Sequence, residues 1–313
     1  MVTMVDAHCD TITTAYDKGV SMADGPLQVN FKKLKAVGPV AQCFAIWLSE
    51  PYRRQALLEW EKRYDFFQRE LEAHKETIRQ AFCVADIEKN AKEGLCSAIL
   101  TMEGADALEG KTERLTYFHQ KGVRILSFCW NEANALACGA GVEEGGLTEK
   151  GKEMLQEMER LGILMDVSHL NDDSFWDVAH LATRPFLATH SNSRKRTNVK
   201  RNLTDAQLKA IANAQGVVGL NLCPTFLSRR GVAQTEDVLD HLRHMLRVMG
   251  EDFIGLGCDF DGIMATPLDL PGAEAYFQLE QRIKGAFGAR VAEKVMRRNM
   301  LQLFEKVWEI KLQ

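Results

Sequence analysis

Short apolar runs recur along the whole chain, at residues 2–7, 40–48, 98–102, 123–130, 163–167, 186–189, 217–222 and 253–258. Most carry β-branched or aromatic residues. Their nearly continuous apolar character predicts strands buried on both faces rather than one-sided antiparallel strands. Between the runs the period lengthens. Over residues 54–79, Leu57, Leu58, Tyr64, Phe67, Leu71 and Ile78 recur at mixed three- and four-residue spacings, the stripe of an amphipathic helix. Further helices are predicted over 149–161 behind Thr148 as N-cap, up to Leu181 behind Asp172 or Asp173, over 205–214 behind Thr204, over 235–249, and over 289–308 with a break near Asn299.

Strand and helix alternate through eight runs, and no Pro-, Gly- or Ser-rich linker divides them. This order predicts an α/β fold, one (β/α)8 TIM barrel spanning residues 1–313 as a single domain. A doubly wound open sheet is the alternative. It fits less well, because no Gly-rich turn follows the first run where a dinucleotide site would need one.

Composition narrows the function classes more than the fold. With 46% hydrophobic and 26% charged residues the chain has the make-up of an ordinary globular protein. A formal charge of −4 gives no reason to expect a nucleic-acid partner. The basic cluster Arg194, Lys195, Arg196, Lys200 and Arg201 directly follows His190, so it is read as an active-site loop before a solvated patch. No apolar stretch approaches the ~18 residues of a membrane span and no signal segment precedes the first run, so a cytoplasmic protein without a membrane partner is expected. The eight cysteines form no CxxC pair. Cys43, Cys96, Cys129, Cys223 and Cys258 fall in or at the ends of apolar runs and are expected to be reduced.

The chemistry lies where the runs stop. His8 and Asp10 follow the first, Glu103 the third, His169 the fifth, His190 the sixth and Asp259 the eighth. If the runs are parallel strands of one closed sheet, these groups meet at one rim. His8 and Asp10, two apart on an extended segment, can grip one cation; His169 and His190 suit a second, and the two oxygens of Glu103 can bridge both. Imidazole and carboxylate without thiolate suit two Zn2+ ions, with Mn2+ or Co2+ as substitutes. Asp259 faces them across the rim and is assigned proton transfer. His119, His180, His241 and His244 lie in helical segments and are read as structural, and His74 as solvated.

Order and spacing over nearly the whole chain resemble the membrane dipeptidase family, also called renal dipeptidase-like, of the metal-dependent amidohydrolase superfamily. The resemblance is carried by Asp6-Ala7-His8-Cys9-Asp10, Glu103-Gly104-Ala105-Asp106, Gly146-Leu147-Thr148-Glu149, Asp166-Val167-Ser168-His169, His190-Ser191-Asn192-Ser193-Arg194, Arg201-Asn202-Leu203-Thr204 and Gly257-Cys258-Asp259-Phe260-Asp261-Gly262. It implies a metallo-dependent hydrolase barrel and a homodimer. Its activity would be hydrolysis of dipeptides, L-D dipeptides among them, through a hydroxide shared by the metals. In the family's pattern His8, Asp10, Glu103, His169 and His190 match the metal ligands, Asp259 the proton carrier and Arg201 the clamp for the substrate carboxylate. Two positions depart. Trp130 stands where the family has a histidine that contacts the scissile carbonyl, and Cys223 where it has a tyrosine. Trp130, a substrate-binding wall on this reading, keeps open action on another amide, lactam or ester. A barrel that binds without catalysing is the remaining reading, against which the full ligand set argues.

Overall fold

The computed structural model describes residues 1–308. Its strands are β1 (Met4–Asp6), β2 (Val40–Trp47), β3 (Ile78–Gln80), β4 (Cys96–Glu103), β5 (Val123–Ser127), β6 (Leu164–Asp166), β7 (Val218–Leu220) and β8 (Ile254–Leu256). All pairings between them are parallel, in the order β6-β5-β4-β2-β1-β8-β7, with β3 beside the start of β4. The gap between β6 and β7 is filled by the sixth apolar run. Leu187 bridges Asp166 and Ala188 bridges Val218, and Gly219 N donates to Ala188 O at 2.8 Å. The sheet thus returns on itself, so the predicted barrel closes with seven of the eight apolar runs as strands and the sixth as a two-residue bridge.

Two apolar clusters follow from the alternation along each strand. Val40, Phe44 and Ile46 pack with the cluster that reaches the outer helices, whereas Ala41 and Cys43 pack with Val5, Ile99, Ile125, Leu164 and Leu187 in a second cluster. Along this second set of positions the chemistry changes from one end to the other. Ile99 is followed two residues on by Thr101 and then Glu103, Ile125 by Ser127, and Leu164 by Asp166, all buried. A dry apolar lower half therefore sits beneath a polar rim at the C-terminal strand ends, where catalytic groups of such barrels collect.

The helices show where local pattern decided and where it did not. Glu149–Leu161 forms with Thr148 accepting from Gly151 N at 3.1 Å, and Thr204 with Gln207 makes a reciprocal cap on Asp205–Asn213. Asn171, not Asp172 or Asp173, caps Asp172–Leu181; its side chain accepts from Ser174 N at 2.9 Å. The helix expected over 54–79 runs only Ala56–Ala73, and Ile78 belongs to β3. The segment near Asn299 does not break: it widens into one π-helical stretch, Lys294–Arg298, before Asn299–Trp308. His74 is half-buried with its ring edge-on to Phe31, 5.9 Å between centroids, and so is not a solvated histidine. Among the described residues no helix is long and apolar enough to cross a membrane, and all eight cysteines are free.

Candidate metal centre

The rim brings together every residue singled out at the strand ends. His8, Asp10, Glu103, His169, His190 and Asp259 are all buried. Glu103, the last residue of β4, presents its two oxygens in opposite directions: Oε2 lies 2.9 Å from His8 Nε2 and Oε1 lies 3.4 Å from His169 Nε2. Its backbone can turn away at once because Gly104 adopts a left-handed φ of 81°. His8 Nε2 is also 3.3 Å from Asp10 Oδ2 and 3.8 Å from Asp259 Oδ1. Two ligand sets share Glu103, namely His8-Asp10-Glu103 and Glu103-His169-His190, with the donor atoms of each within 4.8 Å of one another.

Partners behind the imidazoles settle which nitrogen faces the site. Thr189 Oγ1 donates to Asp166 Oδ2 at 2.6 Å, so at 2.7 Å it accepts from His190 Nδ1. His169 Nδ1 lies 3.1 Å from the side-chain oxygen of Asn131. Both Nε2 atoms are then left with lone pairs, and these face one another 2.9 Å apart. Two lone pairs at that separation repel, and a cation between them removes the conflict. Buried acceptors tell the same story: Asp10 Oδ1 and Glu103 Oε2 have no hydrogen-bond partner. Leaving such oxygens unsatisfied costs about 1–3 kcal/mol each. The donor set therefore fits divalent metal.

The electrostatics set His8 apart from the other two imidazoles. Burial disfavours charge on His8, but the carboxylates of Glu103 and Asp10 together outweigh it and hold the imidazole well above its usual range. Burial, with Arg201 beside it, holds His169 well below that range; burial and the charge on His8 do the same to His190. Neutral imidazoles are the form that binds metal. Burial and neighbouring Asp10 push Glu103 up to about 7, and burial lifts Asp259 to about 6 against the opposite pull of His8.

After β8 the chain passes through left-handed conformations at Asp259 (φ 63°) and Asp261 (φ 64°). This folds Gly262 against the site, where a Cβ would collide with Asp10 Oδ2 and stand 2.6 Å from Asp259 Oδ1. The Asp261 carboxylate accepts from Thr11 Oγ1, Gln28 N and Val29 N. Asn221, just past β7, donates to Asp259 Oδ2 at 2.9 Å and fixes that carboxylate.

A cavity of about 520 Å³ opens over the centre, lined among others by Trp130, Arg201 and Cys223. Arg201 sends Nη2 to within 3.1 Å of His169 Nε2, and its Nη1 is buried with no partner. Three of the neighbouring basic residues are tied elsewhere: Arg194 to Asp172, Arg196 to Asp240 and Lys200 to Glu143. Only Arg201 of these lines the cavity. Sequence reasoning missed Asn131, Thr189, Asp166 and Asn221. An Asn or Thr beside a strand end is too common a signal to single out.

Comparison with known proteins gives the same direction. The family model described as membrane dipeptidase, peptidase family M19, matches residues 1–313. A Klebsiella pneumoniae protein of the pqqA 5′ region is 34% identical over 244 residues, 74% of this chain and 90% of that one. The dipeptidase tcpJ of Claviceps purpurea is 25% identical, over 80% of this chain and 60% of that one. Among solved structures, the metallo peptidase of Rhodobacter sphaeroides liganded with a phosphinate mimic of L-Ala-D-Ala superimposes with a TM-score of 0.92 at 27% identity, over 98% of this chain and 99% of that one. The dipeptidase AC, also of family M19, does so with a TM-score of 0.93 at 28% identity over 99% of each. Full-length agreement in sequence family and in backbone, around a rim that can hold metal, shows that this chain belongs to the membrane dipeptidase family, peptidase family M19, and is a dipeptidase-type metallopeptidase.

Proposed function

We propose that the protein is a zinc-dependent dipeptidase that cleaves the peptide bond of dipeptides, L-D dipeptides among them, with two Zn2+ ions held per chain. The observation that carries this reading is Glu103, whose oxygens face His8 on one side and His169 on the other. His8 and Asp10 would hold one ion, His169 and His190 the other, and Glu103 both; Mn2+ or Co2+ could replace zinc. Such a pair, when bound, supplies a nucleophile from water at neutral pH and polarises the scissile carbonyl.

The chain's own residues do the rest. Arg201 carries an unpartnered Nη1 beside the centre, a ready donor for the free carboxylate of a dipeptide, and charge-assisted contacts of this kind contribute about 1.5–3 kcal/mol. This ties recognition to the chain end of the substrate. Asp259, with Oδ2 held by Asn221, keeps Oδ1 free to take a proton from the attacking water and pass it to the leaving amine. Trp130 contributes a wall and a single N–H donor.

The presence of Trp130 where family members carry histidine favours one second reading: the same centre acting on another amide, a lactam or an ester. Chelator-sensitive turnover of an L-L and L-D dipeptide panel, run beside N-acyl amino acids and esters, separates the two. Dipeptide turnover lost on chelation and restored by zinc supports the proposal; a metal-loaded enzyme active only on the other classes overturns it.

A further inference from the structure

We propose that Trp47 and Trp130 form the subsite for the side chain of a substrate's N-terminal residue, selecting dipeptides that begin with a bulky apolar residue over those that begin with glycine. This inference rests on the dipeptidase reading above and adds to it the class of substrate.

The order of elements around the rim places the two ends of a dipeptide. Arg201 follows the 187–188 bridge and Cys223 follows β7, whereas Trp47 ends β2 and Trp130 follows β5. These are different sectors of the ring, and all four residues line the cavity. His169 stands between them, 3.1 Å from Arg201 Nη2 and 6.0 Å, centroid to centroid, from Trp130. A dipeptide with its carboxylate on Arg201 and its scissile carbonyl at Glu103 and His169 therefore extends its first residue toward the indoles.

The two indoles make a preformed wall. Their centroids are 5.2 Å apart and their planes are inclined by 54°. Both residues are half-buried. Trp47 is pinned through its backbone: its N–H donates to Thr13 Oγ1 at 3.1 Å, and Thr13 Oγ1 donates to its carbonyl at 3.0 Å. An aromatic wall offers dispersion and apolar burial to a large side chain and nothing to glycine. Pocket discrimination by apolar side-chain size runs at about 10- to 200-fold in kcat/KM.

The test uses the metal-loaded full-length enzyme with Gly-D-Ala, Ala-D-Ala, Leu-D-Ala and Phe-D-Ala. Wild type is expected to favour Leu and Phe over Gly by about tenfold or more. Trp47→Ala and Trp130→Ala are expected to shrink that ratio to about two- to threefold, mainly through KM for the bulky substrates. Trp47→Phe and Trp130→Phe, which keep a ring and the fold, should retain most of it. Equal use of Gly and Phe by wild type, or an unaltered ratio in both alanine variants, overturns the inference alone. If none of the four is cleaved while other dipeptides of the L-L and L-D panel are, the inference falls alone; if no dipeptide is cleaved, the dipeptidase reading falls and the inference falls with it.

Discussion

His169 and His190 face one another through Nε2 atoms 2.9 Å apart, each with its other ring nitrogen engaged, by Asn131 in one case and Thr189 in the other. The pair is poised for a cation, and the outer partners set that poise. Removing such a partner typically weakens metal affinity about 10- to 100-fold. Asn131→Ala is expected to do this, read by competition with a chelator of known affinity. An unchanged affinity would show that Asn131 does not orient His169.

Arg201→Met should lower kcat/KM for dipeptides by about 10- to 100-fold, the loss of one charge-assisted contact. Against a dipeptide amide, which has no carboxylate, the variant and wild type should differ little. An equal loss on both substrates would remove Arg201 from carboxylate recognition.

Asp259→Asn keeps the size and the contact distance to Asn221 but not the proton-carrying ability. Metal content should stay at the wild-type level while kcat falls by about 10²- to 10⁴-fold, the usual worth of a general acid-base group. Near-normal turnover in that variant would assign the proton to another group.

His241 gives a prediction that is independent of the metal. It is buried, its Nδ1 accepts from Ser193 N at 3.1 Å and its Nε2 donates to Leu227 O at 3.1 Å, joining two loops of the cavity wall. Burial lowers its pKa to about 4. Because the folded value lies below the unfolded one of about 6.5, the unfolded chain takes up the proton first as pH falls. Its stabilising contribution is complete above about 6.5 and is lost on going down toward 4. Between pH 7.5 and 5 this one group should cost on the order of 2 kcal/mol. Urea unfolding of wild type and His241→Gln at the two pH values should show a shallower pH dependence in the variant; identical slopes would contradict it.

Much of this site could be read along the chain because the fold is regular where the chemistry is. Parallel strands buried on both faces announce themselves as apolar runs, and after five of the eight runs the first ionisable group is a rim residue, as with Glu103 after Met102 or His190 after Thr189. The misses have a common cause. Ile78 falls in phase with the preceding helical stripe, yet it starts a three-residue strand that exists only because β4 lies beside it. Asn171 outcompetes two aspartates as a cap through the direction of its own backbone. Asn131 and Asn221 matter through partners 38 residues away in sequence, which no local pattern encodes.

Glu103 is placed to join two cations. Diffraction from zinc-loaded crystals recorded at the zinc absorption edge should show two anomalous peaks about 3.5–4 Å apart, one against His8 and Asp10, the other against His169 and His190, with Glu103 touching both. A single peak, or none between these residues, would contradict it.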